Sequence, residues 1–349
     1  IDVVAYGAFV LADHYTKAEQ DIIDGLQDTA IDTKAPLDSP ALVNPTINGI
    51  AQSGYSGFKN HIINGGFDVW QRGTSQAIGG YGSADHWYNA LTANASVAQE
   101  TVDLPNNTKY AHKSTITADS ASNAVFQGFE SSTTAQLKGK IVTVSFDIKA
   151  TGFVGSIYAD IQTGDTADTL LGGIFASHDP QSITPTTSWV RYSVNITFPS
   201  DAGARLVFGW ASSQLAGATV LLANIQLEEG SVATPFEVLP AGLTLSLCQR
   251  YYQKIGKGIH GGFNGASLVR IGVEFNQPMR IAPSATLIAD TTMLHIGSST
   301  AASTSTSRTI GEYNATVNGF IGYISGFNGV TDYGALQIND NTIALDSEL

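Results

Sequence analysis

Residues 140–150 read KIVTVSFDIKA, and this stretch decides the fold class of the chain. Apolar residues occupy every second position from residue 142, and the positions between them are polar. Because successive side chains of a β-strand point to opposite faces, the alternation predicts a strand with one face on a core. The core face comprises Val142, Val144, Phe146 and Ile148.

The same period of two returns along the chain, at 157–161, 190–198, 206–210 and 269–275. Many short strands with Gly-, Pro- and Asn-rich turns predict a mainly β protein, an antiparallel β-sandwich of the jelly-roll type. Residues 243–252 lack the alternation and are predicted to form a short helix that leads into a C-terminal β domain. Hairpin turns are expected at the Asn-Gly pairs Asn264-Gly265, Asn318-Gly319 and Asn328-Gly329.

The amino-acid composition excludes several classes of binding partner. Charged residues make up only 13% of the 349 residues, about half of the usual quarter, so the surface must be mainly uncharged and polar. The net charge of −13 argues against nucleic acid and anionic membranes as partners. No apolar run is long enough for membrane insertion, and the single cysteine, Cys248, rules out an intrachain disulfide.

The first 58 residues differ from the rest. Thr16 and Glu19 form a capping-box pattern, and apolar residues within 22–30 predict a short helix. Its apolar stripe could pack in a trimeric coiled coil or on its own domain. Prolines spaced through 33–56 predict an extended stalk. We therefore expect three parts: an arm, helix and stalk (1–58), a jelly-roll domain (59–240), and a linker helix with a C-terminal β domain (241–349).

Sequence motifs for catalysis are missing. The seven histidines are scattered, and no nucleophile elbow, P-loop or zinc-protease motif is present. Residues 256–261, GKGIHG, formally match a dinucleotide-binding pattern, but strand-like sequence follows where that motif requires a helix. We expect no enzyme activity, no catalytic residues, no metal and no cofactor.

Aromatic and planar polar residues crowd the stretch 68–88. Sugar recognition uses flat side chains that stack on C–H faces, together with planar polar groups that bind hydroxyls. Trp70 and Trp87 could equally be core residues of the sandwich. Tyr81 is expected to be exposed, because it lies in a glycine-rich loop. The candidate glycan-binding residues are Trp70, Arg72, Tyr81, Asp85, Trp87 and Tyr88.

Several motifs carry a family resemblance. NHIINGGFDVWQRGT (60–74) with ADHW (84–87), and IQLEEGSVATPFE (225–237) with LCQRYY (247–252), resemble the opening and close of a jelly-roll module of bacteriophage tail-fibre proteins. FNQPMRIAP (275–283) and LDSEL (345–349) are similar to the segments C-terminal to that module in the same proteins. One departure is His86, where the family pattern has Arg; if this side chain bears on a ligand, its pH response would differ.

The resemblance implies a virion-exposed receptor-binding protein with a carbohydrate-binding-module-like domain. It also implies a homotrimer, but it does not supply a ligand. We expect other virion proteins at the N-terminal end and host cell-surface polysaccharide as partners. Three alternatives stay open: a head fibre or other appendage with the same module, a polysaccharide depolymerase, and a free-standing bacterial carbohydrate-binding module. Release of reducing sugar ends would favour the depolymerase, and a monomeric chain would favour the free-standing module.

Overall fold

The structure is a computed structural model. It describes residues 46–47, 50–51, 58–91, 94–119, 123–169, 176–199, 203–210, 214–255, 259–263, 268–288, 293–296, 309–326, 335–338 and 343–349. None of the helices in these ranges is long and apolar enough to cross a membrane.

The chain divides into two compact units, Ile1–Tyr55 and Ser56–Leu349. In the first unit, β1 (Thr46–Ile47) and β2 (Ile50–Ala51) form an antiparallel pair. These strands lie within the predicted stalk, whose other residues lie almost entirely outside the described ranges, and the extended stalk stays a prediction. The predicted arm and helix lie outside the described residues.

The second unit begins with a β-sandwich, in which every strand pair is antiparallel. One sheet has five strands, in the order β10 (Ala176–Ile183), β9 (Ile157–Gly164), β12 (Gly203–Trp210), β7 (Asn123–Phe129) and β4 (Tyr88–Ala90). The facing sheet has six strands, in the order β11 (Val190–Thr197), β8 (Ile141–Thr151), β13 (Thr219–Glu229), β6 (Ala111–Ile116), β5 (Ala95–Glu100) and β3 (Ser75–Gln76).

The predicted alternation accounts for the sandwich core. Phe146 and Ile148 of β8 are fully buried, as are Leu206 and Phe208 of β12 on the facing sheet. Burying each such side chain contributes roughly 1.5–3 kcal/mol, so the period of two fixes which face of each strand turns inward. The prediction of an antiparallel β-sandwich is confirmed.

Two short helices accompany the strands. Helix α1 (Ser131–Leu137) follows β7, and α2 (Ala241–Gln249) lies where the sequence predicts a helix at 243–252. Helix α2 leads into the C-terminal strands.

The C-terminal strands form two sheets. The first is three-stranded, in the order β14 (Tyr252–Ile255), β22 (Ile343–Asp346) and β17 (Ser284–Leu287). The second is six-stranded, in the order β18 (Met293–Ile296), β21 (Ala335–Ile338), β15 (Ile259–Phe263), β16 (Leu268–Glu274), β20 (Gly319–Ser325) and β19 (Thr309–Ala315).

These sheets confirm the predicted C-terminal β structure. β19 and β20 pair as a hairpin at the predicted Asn318-Gly319 turn, whereas the other two Asn-Gly turns lie outside the described residues. Strand β15 follows residues 256–258, so the glycine-rich stretch leads into a strand. The boundary at residue 240 between a jelly-roll domain and a C-terminal domain stays a prediction.

Candidate functional site

The predicted cluster at 68–88 is largely internal, beginning with Trp87 and Asp85. Trp87 is fully buried, and its indole Nε1 donates a hydrogen bond to the Asn64 carbonyl at 3.1 Å. Asp85 is also fully buried, and its Oδ1 accepts a hydrogen bond from the Gln71 backbone N–H at 2.7 Å. Burial raises the pKa of Asp85 to about 6. Neither side chain presents surface to a ligand in this structure, and a role of Trp87 and Asp85 in a glycan site stays a prediction.

Arg72 is engaged by residues far along the chain. Its side chain is 8% exposed and forms ion pairs of 2.7 Å with Asp346 and 2.8 Å with Glu348. The guanidinium also lies 3.8 Å from the centroid of the Tyr252 ring, a cation–π contact. Its planar donors are therefore directed at protein carboxylates, and Arg72 holds β22 and the residues after it against the sandwich.

His86 belongs to the same internal network. Its Nδ1 lies 2.8 Å from Glu348 Oε2, and its ring stacks on Tyr251 with centroids 3.8 Å apart. The His86 side chain is 1% exposed. His86 is therefore engaged within the fold and does not face solvent. We call Arg72, His86, Asp346 and Glu348 the junction cluster.

Trp70 and Tyr81 are half-buried. The Trp70 indole donates to the Phe67 carbonyl at 2.5 Å and packs against the sandwich core. Tyr81 was expected to be exposed, but its ring packs edge-on against Tyr88 at 5.2 Å and its hydroxyl is buried without a hydrogen-bond partner among the described residues. Burial raises the pKa of Tyr81 well above its ordinary value.

Tyr88 contacts Tyr81 and lies on the outer face of the five-stranded sheet. Its half-buried ring stacks on Phe126 with centroids 4.7 Å apart and planes 20° apart. Strand register continues the row, because Phe126 pairs with Val207 and Val207 pairs with Asp160. Phe126 and Val207 belong to an apolar cluster separate from the main core. We call this surface the aromatic face; its members are Tyr88, Phe126, Tyr158, Asp160, Gln162, Arg205 and Val207.

Arg205 lies in the middle of the aromatic face. Its guanidinium carbon is 4.4 Å from the Phe126 centroid, and its Nε and Nη2 donate to Gln162 Oε1 at 3.1 and 2.8 Å. Burial lowers the pKa of Arg205, whereas nearby Tyr158 and Asp160 oppose that shift. The guanidinium remains charged at neutral pH, so the face presents a fixed, planar set of donors.

Asp160 is held on the next strand. Its Oδ2 accepts from the Ser177 hydroxyl at 2.6 Å, and its Oδ1 accepts from the His178 backbone N–H at 3.1 Å. Burial raises the pKa of Asp160, although these hydrogen bonds act in the opposite direction. Asp160 is fully buried, so its carboxylate is a structural part of the aromatic face and offers no surface to a ligand.

Tyr158 completes the face. It pairs in register with Gly209 of β12, and a side chain at residue 209 would overlap the Tyr158 ring. The ring therefore lies across the sheet over the one position in that pair without a side chain. The Tyr158 side chain is half-buried, so part of its surface faces solvent.

Sequence reasoning missed Tyr158, Gln162 and Arg205 as site residues. The signal was available, because these residues alternate with the core positions of β9 and β12 and so had to share the opposite face. The two-residue alternation of apolar and polar side chains could not predict the strand order. That order places β4, β7, β12 and β9 side by side.

The Glu228 carboxylate, near the end of β13, is engaged within the fold. Glu228 is 2% exposed, and it accepts hydrogen bonds from Gln226 and from the Thr234 backbone N–H, each at 2.8 Å.

Within the described ranges, no group of three His, Cys, Asp or Glu side chains could hold a metal ion.

No protein-family model and no curated protein matches the chain. The solved CBM4 structure is 16% identical with a TM-score of 0.33, and the match covers 48% of this chain and 98% of that one. The CBM22-1 xylan-binding domain of Paenibacillus barcinonensis Xyn10C is 16% identical with a TM-score of 0.31, covering 46% and 94%.

Tailspike protein 4 of bacteriophage CBA120 is 13% identical with a TM-score of 0.34, and the match covers 49% of this chain and 21% of that one. These likenesses concern the fold and identify no ligand. The class of protein is set by the strand pairing described above: an antiparallel β-sandwich with an aromatic face on its five-stranded sheet.

Proposed function

We propose that the chain is a non-catalytic, glycan-binding protein of a virion appendage, and that the aromatic face carries the glycan site. The observation that supports this most directly is the row of half-buried side chains, Tyr88, the Arg205–Gln162 pair and Tyr158, around the buried ring of Phe126. Rings that lie flat suit the C–H faces of sugars, and planar donors and acceptors suit paired hydroxyls.

The proposed glycan site differs from the set of residues predicted from the sequence. Tyr88 belongs to both sets, whereas Arg72, Asp85 and Trp87 have a structural role in the proposal. An elongated row across four strands fits a polysaccharide chain better than a single sugar, since successive sugars can meet Tyr88, Arg205 and Tyr158 in turn. Host cell-surface polysaccharide is the ligand class that we propose.

The virion location rests on the resemblance of residues 60–255 to the phage tail-fibre module. A homotrimer fits that role, because a shallow uncharged site binds weakly and linked copies raise avidity without new contacts. The tested quantity is the solution mass of the purified chain by light scattering. A trimer of about three times 36.7 kDa supports the appendage, and a monomer would move the proposal to a free-standing carbohydrate-binding module.

The glycan ligand is tested with an array of bacterial surface polysaccharides, probed with the full chain. We expect retention on at least one polysaccharide and competition by that polysaccharide against adsorption to the cells that carry it. Incubation with the same polysaccharide should release no reducing ends. Steady release of reducing ends would show that the chain hydrolyses the polysaccharide, which would contradict non-catalytic binding.

A further inference from the structure

A polar pocket lies on the six-stranded sheet of the sandwich, whereas the aromatic face lies on the five-stranded sheet. It has a volume of about 420 Å³ and opens on the outer face of the six-stranded sheet, between the loop 104–106 and strands β8 and β11. Small-molecule pockets have volumes of roughly 300–1,000 Å³, so its size suits a small ligand. Its lining residues are Leu104, Pro105, Asn106, Asp147, Trp189 and Arg191.

Trp189 forms one wall of the pocket, and its orientation is fixed. The indole Nε1 donates to Asp103 Oδ1 at 3.0 Å, while Asp103 Oδ2 forms a 2.6 Å ion pair with Lys149. The ring is half-buried, so part of its surface faces the pocket. A ring held in this way loses little conformational freedom when a ligand stacks on it.

Asp147 and Arg191 form the floor as a cross-strand pair with atoms 3.5 Å apart. Arg191 also donates to Ser145 Oγ at 2.8 Å and to the Asn224 carbonyl at 3.1 Å. Asn224 donates in turn to Asp147 Oδ2 at 2.6 Å. The planar polar groups are therefore oriented without a ligand.

An irregularity of β13 creates this arrangement. The register of β13 against β8 shifts between Ala223 and Gln226, and Asn224 has a φ of 51°. Its amide also donates to Thr108 Oγ1 at 2.8 Å, which ties the loop over the pocket to the sheet. Bulges of this kind redirect a side chain, and here the redirected amide joins the loop to Asp147.

We propose that this pocket binds one neutral pyranose unit, separately from the aromatic face. An indole wall beside a paired carboxylate and guanidinium matches a sugar ring with one C–H face and adjacent hydroxyls. The opposite charges of Asp147 and Arg191 offset one another. Arg191 would attract the carboxylate of an acidic sugar, but Asp147 would repel it, so the pocket does not favour a charged sugar over a neutral one. This inference does not depend on binding at the aromatic face.

The test uses the full chain with its four tryptophans replaced by 5-fluorotryptophan, which gives one ¹⁹F signal each for Trp70, Trp87, Trp189 and Trp210. The signal that disappears in Trp189→Phe identifies Trp189. The probes are the methyl pyranosides of glucose, galactose, mannose and N-acetylglucosamine. For a ligand of about a dozen heavy atoms, ordinary ligand efficiency puts the Kd at about 1 mM.

We expect at least one pyranoside to shift the Trp189 signal in a saturable manner and to leave the Trp87 signal unmoved. Asn106→Ala, a change at an exposed loop residue, should weaken that binding at least several-fold while the other signals stay in place. Tyr158→Ala, on the aromatic face, should leave it unchanged. The proposal is overturned if no pyranoside shifts the Trp189 signal up to about 50 times that Kd, or if methyl glucuronide shifts it more strongly than the neutral sugars do.

Discussion

The Tyr158 ring lies across Gly209, its register partner on the adjacent strand β12. On a sheet surface this contact requires a residue without a side chain, because any Cβ at 209 would occupy the space of the ring. The pair therefore sets the height and tilt of one aromatic platform on the proposed glycan-binding face.

The first prediction concerns that contact. Gly209→Ala displaces the Tyr158 ring and should weaken glycan binding by about 3- to 10-fold, or roughly 0.7–1.4 kcal/mol. The matched control is Gly272→Ala in β16, where an added Cβ meets nothing within 4 Å. Isothermal titration with the polysaccharide selected on the array measures both. Equal affinities for the two variants would count against the role of Tyr158.

The second prediction concerns the junction cluster. Arg72→Met leaves the buried Glu348 and the partly exposed Asp346 without their guanidinium partner, and we expect a loss of about 3–5 kcal/mol in the free energy of unfolding. The control is Lys140→Met, whose partner is Glu229; side chains 42% and 34% exposed should make that pair worth about 0–1 kcal/mol.

Urea denaturation measures both losses. Similar losses for Arg72→Met and Lys140→Met would mean that the junction cluster adds little to stability. A large loss for Arg72→Met with retained binding to the array would instead fit its proposed structural role and its distance from the ligand.

How far the sequence could predict this molecule is clear from the same residues. The alternation at 140–150 was sufficient for β8 and for the core face that contains Phe146 and Ile148. The alternation could not show that Glu348 returns to contact Arg72 and His86 from more than 260 positions away. Without that contact, a cluster of aromatic and planar polar residues reads equally well as a ligand site or as an internal interface.

The third prediction is a pH dependence from His112. This side chain is fully buried, its Nε2 lies 2.7 Å from Asn89 Oδ1, and burial lowers its pKa from 6.5 to about 4. Above pH 6.5 both folded and unfolded states carry neutral His112. As the pH falls from 6.5 to about 4, only the unfolded state gains the proton, so stability is lost, in total by about 3 kcal/mol.

The measurement compares wild type with His112→Gln, which retains a donor toward Asn89 but cannot titrate. The stability advantage of the wild type over the variant should shrink by about 3 kcal/mol between pH 7 and pH 4. His260→Gln, at an exposed position on β15, is the matched control for the replacement of a histidine by glutamine. A constant difference for His112→Gln would show that its burial does not govern acid stability.

The most direct test of the proposed glycan site is the affinity of Tyr158→Ala for the array-selected polysaccharide. Tyr323→Ala is the matched control, because the Tyr323 ring likewise lies over a glycine, Gly311, but on the C-terminal sheet. We expect Tyr158→Ala to raise the Kd by about 5- to 30-fold, from the loss of roughly 1–2 kcal/mol of stacking and apolar contact. Tyr323→Ala should bind like the wild type. Wild-type affinity in Tyr158→Ala, or an equal loss in both variants, would contradict a glycan site on the aromatic face.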